Sequence, residues 1–133
     1  ALSTTDGGHT WFVGTSDQPP ASFSHVAFTS LSTAFAVAAT DPDHGWILKT
    51  VDGGRTWNTA KSLPFMAQGI AANGGGTITA AGFYGEIVES TDGGTTWSVS
   101  TLGSDRWIDV NYATPNRAIM IGSAGHIVLR TKP

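Results

Sequence analysis

Apolar residues along the chain come in short uninterrupted runs of a few residues, separated by segments rich in Gly, Ser, Thr and Asp. No stretch of about a dozen residues carries the 3.6-residue period of an amphipathic helix, so essentially no helix is expected. The runs read as strands, and the strands fall into sets. The first set covers 22–29, 34–39, 45–50 and 56–60. The second covers 67–72, 77–82, 85–90 and 95–100, and the third 106–112, 117–122 and 125–130. Few Lys and Glu among many Thr, Ser, Gly and Trp also lean towards strand and away from helix.

An internal repeat underlies the sets. Thr4-Thr5-Asp6-Gly7-Gly8-His9-Thr10-Trp11, Thr50-Val51-Asp52-Gly53-Gly54-Arg55-Thr56-Trp57 and Ser90-Thr91-Asp92-Gly93-Gly94-Thr95-Thr96-Trp97 share one pattern, with aspartates 46 and 40 residues apart. Gly45, Gly85 and Gly125 lie 40 apart, each just before an apolar strand, and Gly82 and Gly122 keep the same spacing. Four antiparallel strands per ~40–45 residues make the blade of a β-propeller. The expected fold is therefore all-β, a single unit over 1–133 of three four-stranded blades, with pieces at about 1–14, 22–60, 67–100 and 106–130.

Asp-Gly-Gly between two β-prone runs signals a hairpin turn. The glycines admit positive φ, and the carboxylate can accept backbone N–H groups inside the turn. The Thr and Trp that follow are expected to brace the turn and fill a gap between sheets. Asp6, Gly8, Thr10, Trp11, Asp52, Gly54, Thr56, Trp57, Asp92, Gly94, Thr96 and Trp97 are accordingly read as structural.

These octets resemble Asp-boxes, the BNR repeats of sialidases, sortilin-type receptors and many secreted propellers. The longer phrases from Gly45 to Trp57 and from Gly85 to Trp97 resemble the photosystem II stability/assembly factor family, whose blades carry G-x-I-x-x-T-x-D-G-G-x-T-W. The resemblance spans nearly the whole chain. It implies a propeller fold and a chaperone-like docking role outside the cytoplasm. Function follows less directly than fold, because the motif is a folding element shared by unrelated activities.

The third unit stops short: Lys132 stands where the motif has Asp, and the missing hairpin and outer strand are found in residues 1–14. Propellers typically have four to eight blades, and an open set leaves sheet faces and an edge unpaired. Two closures are expected. The chain is part of a longer six- to eight-bladed protein, or two chains form a homodimer that closes a six-bladed ring, the N-terminal outer strand of one completing the last blade of the other.

Composition narrows the function. A chain of 133 residues fits one domain. A formal net charge of −3 without a Lys/Arg cluster argues against nucleic acid as a partner. No run is long enough to span a bilayer, and no signal peptide is visible, although a mature chain would have lost one. With Cys 0 there are no disulfides, thiolate nucleophiles or cysteine metal sites.

Propeller ligands usually meet the innermost strands and the loops at one face. Alignment of the first strands pairs His25, Gly69 and Asp109, and the inter-strand loops hold 40–44, Phe83-Tyr84 and Ser123-Ala124. The binding candidates are His25, His44, Tyr84, Arg106, Trp107 and Asp109, and the catalytic candidates Asp109, Asp43, Tyr84 and Glu86. Each has a plainer role beside it. Asp41 and Asp43 suit a solvated turn around Pro42, Asp109 a structural bond to a neighbouring blade, and Trp46, Trp107, Phe83 and Tyr84 inter-blade packing instead of sugar stacking. His25 and His126 lie on different blades with no partner at close metal-ligand spacing in the sequence, and each Asp-Gly-Gly turn offers one carboxylate where a Ca²⁺ cage needs six to eight ligands. No metal or cofactor is expected. Gly74-Gly75-Gly76 precedes no helix and is no nucleotide loop. Sialidase chemistry asks for an arginine triad, a Tyr nucleophile beside Glu and an Asp acid/base. Here Arg55 belongs to a turn, and Tyr84 with Glu86 is the one Tyr–Glu approach. The expected function is a non-enzymatic scaffold docking a protein or glycan partner, with glycoside hydrolysis as the rival.

Overall fold

The computed structural model describes residues 1–19 and 21–131, and Lys132, at the aspartate position of the incomplete motif, lies outside them. All regular structure among the described residues is β, and no helix is long and apolar enough to cross a membrane. A short N-terminal hairpin joins β1 (Leu2–Ser3) to β2 (Phe12–Val13). The first large sheet contains β4 (Ser22–Phe28), β5 (Ala34–Asp41), β6 (His44–Thr50) and β7 (Thr56–Leu63), all antiparallel, with β3 (Thr15–Ser16) added to its outer edge. The second holds β8 (Ala67–Ala72), β9 (Ile78–Gly82), β10 (Glu86–Ser90) and β11 (Ser98–Thr101) in sequence order. The third holds β12 (Trp107–Thr114), β13 (Arg117–Gly122) and β14 (Ile127–Thr131). This is an all-β partial propeller.

The strands depart from expectation where neighbours intervene. The expected loop over 40–44 shrinks to a two-residue turn, because Asp41 pairs with His44 and extends both strands. β3 was not expected. It runs parallel to β7, with Thr15 opposite Thr56 and Ser16 opposite Trp57. That pairing draws Thr56 and Trp57 into β7, whereas the equivalent β11 has no such neighbour and starts only at Ser98. Within the chain the N-terminal segment thus lies on the first sheet. The Thr15 amide donates to Arg55 O at 2.9 Å, and Asp17 accepts the Thr59 amide at 2.8 Å.

Alternation along each strand puts one set of apolar side chains on each face. Phe35, Val37 and Ile47 of the first sheet meet Ile70, Ile78 and Val88 of the second. Ala71, Ala81 and Ile87 of the second meet Trp107, Val110 and Met120 of the third. Each large side chain enclosed there contributes about 1.5–3 kcal/mol.

The two ends of the sheets differ. At one end sit the Asp-Gly-Gly turns, tied to the first hairpin loop of their own sheet: Gly53 N donates to Ser32 O, and Gly93 N to Gly76 O, both at 2.9 Å. At the other end the loops between second and third strands bond to the linkers leading into the innermost strands. Phe83 N donates to Met66 O at 2.9 Å and Ser123 N to Arg106 O at 3.0 Å.

Candidate functional site at the inner strands

The three innermost strands, β4, β8 and β12, share a local irregularity. Each shifts register at the same place, between Phe23 and His25, Ala67 and Gly69, and Trp107 and Asp109. A bulge adds one residue to a strand and re-aims the side chains next to it. Here the bulges set His25, Gly69 and Asp109 side by side, the alignment read from the repeat.

Gly69 decides how close they come. A Cβ on Gly69 would stand 2.6 Å from Asp109 Cα and 2.8 Å from its Oδ1. Without one, the third sheet closes against the second, and Asp109 Oδ1 reaches to 3.7 Å from His25 Nε2 of the first sheet. The same oxygen accepts the Val110 amide at 2.8 Å. Both side chains stay partly exposed, and they border a groove of about 290 Å³ that also touches Phe28, Ile70 and Asn111. With an acceptor and an imidazole on a mainly polar lining, the groove suits a polar segment.

At the loop end, a second cluster gathers three of the candidates, Tyr84, Glu86 and Arg106, around Phe83. Arg106 Nε donates to Gln68 Oε1 at 2.7 Å, and its guanidinium carbon lies 4.6 Å from the centre of the Phe83 ring. Phe83 and Tyr84 stand edge to face, 4.9 Å between centres. Glu86 is turned inward to the turn itself, accepting the Tyr84 amide at 2.7 Å. Gln68 was not singled out from sequence. It is the residue added by the β8 bulge, and a bulge of one residue leaves no pattern in a single sequence.

The remaining candidates lie apart from these clusters. His44 Nδ1 is 2.8 Å from Asp41 Oδ1, which also accepts the Asp43 amide at 2.9 Å. The His44 bond, then the Asp43 amide, lowers the Asp41 pKa below its ordinary value. Asp43 and His44 therefore serve a self-contained turn. His126 pairs similarly with Asp105, at 2.7 Å. Trp107 is 1 % exposed between the second and third sheets, with Nε1 donating to Leu102 O at 3.2 Å. Its ring face is enclosed by protein, so no sugar can stack on it.

The Asp-Gly-Gly turns sit at the opposite end and consume their own polar groups. Asp52 Oδ1 accepts from Thr50 Oγ1 at 2.8 Å and from the Thr56 amide at 2.9 Å, while Oδ2 accepts Thr56 Oγ1 at 2.6 Å. Trp57 Nε1 closes the turn on Gly54 O at 3.1 Å. Asp6 and Asp92 repeat the pattern with Thr10 and Thr96. The threonine hydroxyl bond, followed by the threonine amide, holds Asp6 down to about 2 and holds Asp52 and Asp92 lower still. Gly53 and Gly54 take φ of 73° and 93°, which side chains with a Cβ rarely adopt.

No model of a known protein family matches the chain, and a search among curated proteins gives no relative. Solved structures do match. YCF48 bound to D1 peptide superimposes with a TM-score of 0.71 at 18 % identity, over 90 % of this chain and 42 % of that one. YCF48 from Cyanidioschyzon merolae gives 0.68 at 23 % identity, over 83 % and 34 %. A protein of unknown function from Dyadobacter fermentans gives 0.54 at 18 % identity, over 98 % and 45 %. The chain spans less than half the length of each of these structures. At such identities the likeness is one of fold, and the fold that it shows is the β-propeller.

Proposed function

We propose that the chain is a docking scaffold without catalytic activity, holding an extended segment of a protein partner along the inner-strand groove and its loop-end rim. The observation that carries this reading is the Arg106 cluster: a guanidinium fixed by Gln68 over Phe83, with Tyr84 beside it. An exposed guanidinium held over an aromatic ring with only its Nε engaged has further donors to offer, which suits a carboxylate or a backbone carbonyl. The adjoining aromatic edge suits an apolar side chain. Two further points support a peptide. The Asp-Gly-Gly octets and their flanks resemble assembly-factor propellers of the Asp-box type, which also implies a place outside the cytoplasm. One fold neighbour is YCF48 with a D1 peptide bound.

Glycoside hydrolysis is less well supported. It asks for two carboxylates facing one another at roughly 5–9.5 Å. Asp109 instead faces the His25 imidazole, and Glu86 is engaged by the Tyr84 amide.

Fluorescence anisotropy with a panel of labelled peptides, alongside neutral oligosaccharides, tests the proposal. Peptide binding should weaken by about tenfold in Arg106→Ala and in Tyr84→Ala, the scale of one interface anchor. Binding of oligosaccharide alone would favour a glycan partner, and turnover of aryl glycosides would replace the scaffold reading with an enzyme.

A further inference from the structure

Arg106 and Asp109 carry opposite charges on one stretch of chain, and the β12 bulge sets their spacing. Trp107 pairs with Gly122 and Asp109 with Ile121, successive places in the ladder, so Ile108 is the residue that the bulge adds. Arg106 continues the ladder, its carbonyl accepting the Ser123 amide at 3.0 Å. It therefore stands two ladder steps from Asp109, and both side chains lie on the β8 side. Arg106 meets Gln68 there, and Asp109 fills the space left by the missing Cβ of Gly69. The guanidinium leans further towards the loop end, over Phe83. The two charges are thus roughly 7–10 Å apart, the span of two to three residues of extended chain.

Asp109 keeps acceptor capacity. Its Oδ1 accepts the Val110 amide at 2.8 Å. His25 Nε2, 3.7 Å from the same oxygen, is beyond hydrogen-bond distance. Among the described residues no bond is made to Oδ2, and the side chain is 38 % exposed. Among those residues it is also the one carboxylate bordering the inner-strand groove, where His25 is the one other titratable group. At the loop end the sign is reversed. The carboxylates there are already engaged, Glu86 by the Tyr84 amide and Asp105 by His126, while Arg106 uses only its Nε.

We propose that the docked segment is dipolar: a carboxylate side chain seats on Arg106, and a Lys or Arg side chain two or three residues along seats on Asp109. This assignment depends on the docking function proposed above and names the chemistry of what is docked. Two charges of opposite sign fix the register of an extended segment, which one charge cannot do. The same pair acts against segments with two acidic residues at this spacing, because the second would face Asp109 across the groove. A segment with its charges far apart satisfies one contact at a time.

Titration calorimetry at low salt with end-blocked peptides tests the assignment. The peptides are Ser/Gly chains carrying a Leu-Glu pair and one variable residue. That residue is Lys, Gln or Glu, two or three positions to either side of the first Glu, or Lys placed far along the chain. With Lys at the short spacings, binding should be about three- to fivefold tighter than with Gln, the scale of a partly exposed ion pair. The second Glu should weaken binding, and the distant Lys should lack the gain. In Asp109→Asn the ratio of Lys-peptide to Gln-peptide affinity should fall to about one, a readout that a general loss of docking does not mimic. His25→Lys sets a cation of the chain's own beside Asp109 and should cancel the gain by a second route, which keeps the test if Asp109→Asn does not fold. A ratio of about one in the parent chain, an equal gain from the distant Lys, or a gain that survives in both variants would overturn the dipolar segment. Peptide docking itself would still stand if the Gln peptide binds and Arg106→Ala weakens it. No binding of any peptide would overturn both.

Discussion

Gly69→Ala probes the contact on which the candidate site is built. A methyl group at this position would lie 2.6 Å from Asp109 Cα, 2.8 Å from its Oδ1 and 2.9 Å from Val110 N. Two of the three atoms are backbone in β12, so no side-chain rotation relieves the clash. The third sheet must shift from the second by several tenths of an ångström or more, and the layer of Trp107, Val110, Ala118 and Met120 loosens with it. Overpacking of this kind costs about 1–3 kcal/mol, and the upper half of that range is expected where the obstacle is main chain. With a urea dependence of about 1–3 kcal/mol per molar, the unfolding midpoint should fall by about 1 M. Gly75→Ala is the matched control. Its nearest neighbours are Asn73 side-chain atoms at 3.5–3.9 Å, and the substitution should be neutral or stabilising by a few tenths to about 1 kcal/mol. Urea melts followed by tryptophan fluorescence measure both. Equal midpoints for the two variants would refute the claim that Gly69 sets the sheet spacing.

Trp57, 4 % exposed, and Trp11, 60 % exposed, occupy equivalent places in two turns. Trp57→Ala should cost about 3–5 kcal/mol and Trp11→Ala under about 1 kcal/mol, by the same melts. Stability should also depend on acid. The turn aspartates have folded pKa values below the ordinary 3.8. Their contribution is therefore complete above about pH 4 and is lost as pH falls through the folded values, near 2 for Asp6 and lower for Asp52 and Asp92. Asp92→Asn should flatten the stability curve below pH 4, and an unchanged acid limb would count against these bonds. Tyr112→Phe removes the bond to Thr79 Oγ1, which keeps Glu89 as a partner. The loss should be about 1 kcal/mol, and the Tyr112 phenol, raised by burial, should titrate above pH 10 in an ultraviolet titration of the parent chain.

Much of the fold was legible because its determinants are local. Asp, Gly-Gly, Thr and Trp within eight residues form one hydrogen-bonded turn, so the motif, its period and the hairpins around it can be read from any one copy and checked against the others. Strand ends were less legible. The repeat gives 56 and 95 as equivalent starts; β7 does begin at Thr56, where β3 lies beside it, but β11 begins only at Ser98, and a two-residue parallel strand has no signal of its own.

The same division runs through the candidate site. The repeat aligned His25, Gly69 and Asp109, since equivalent positions on equivalent strands need no knowledge of packing. The 3.7 Å approach of His25 to Asp109 was decided by the sheets closing over a residue without a side chain. Gln68 joined Arg106 through a bulge. Trp107 and Tyr84, both aromatic candidates, were separated by packing alone: one ring is enclosed between sheets, the other stands at the rim. What the sequence determined by itself was therefore periodic and short-range: strand, turn, blade and the order of blades. What only the tertiary structure decided were the distances between side chains on different sheets, because those depend on how closely backbones approach, and that is set by contacts between residues far apart in the chain.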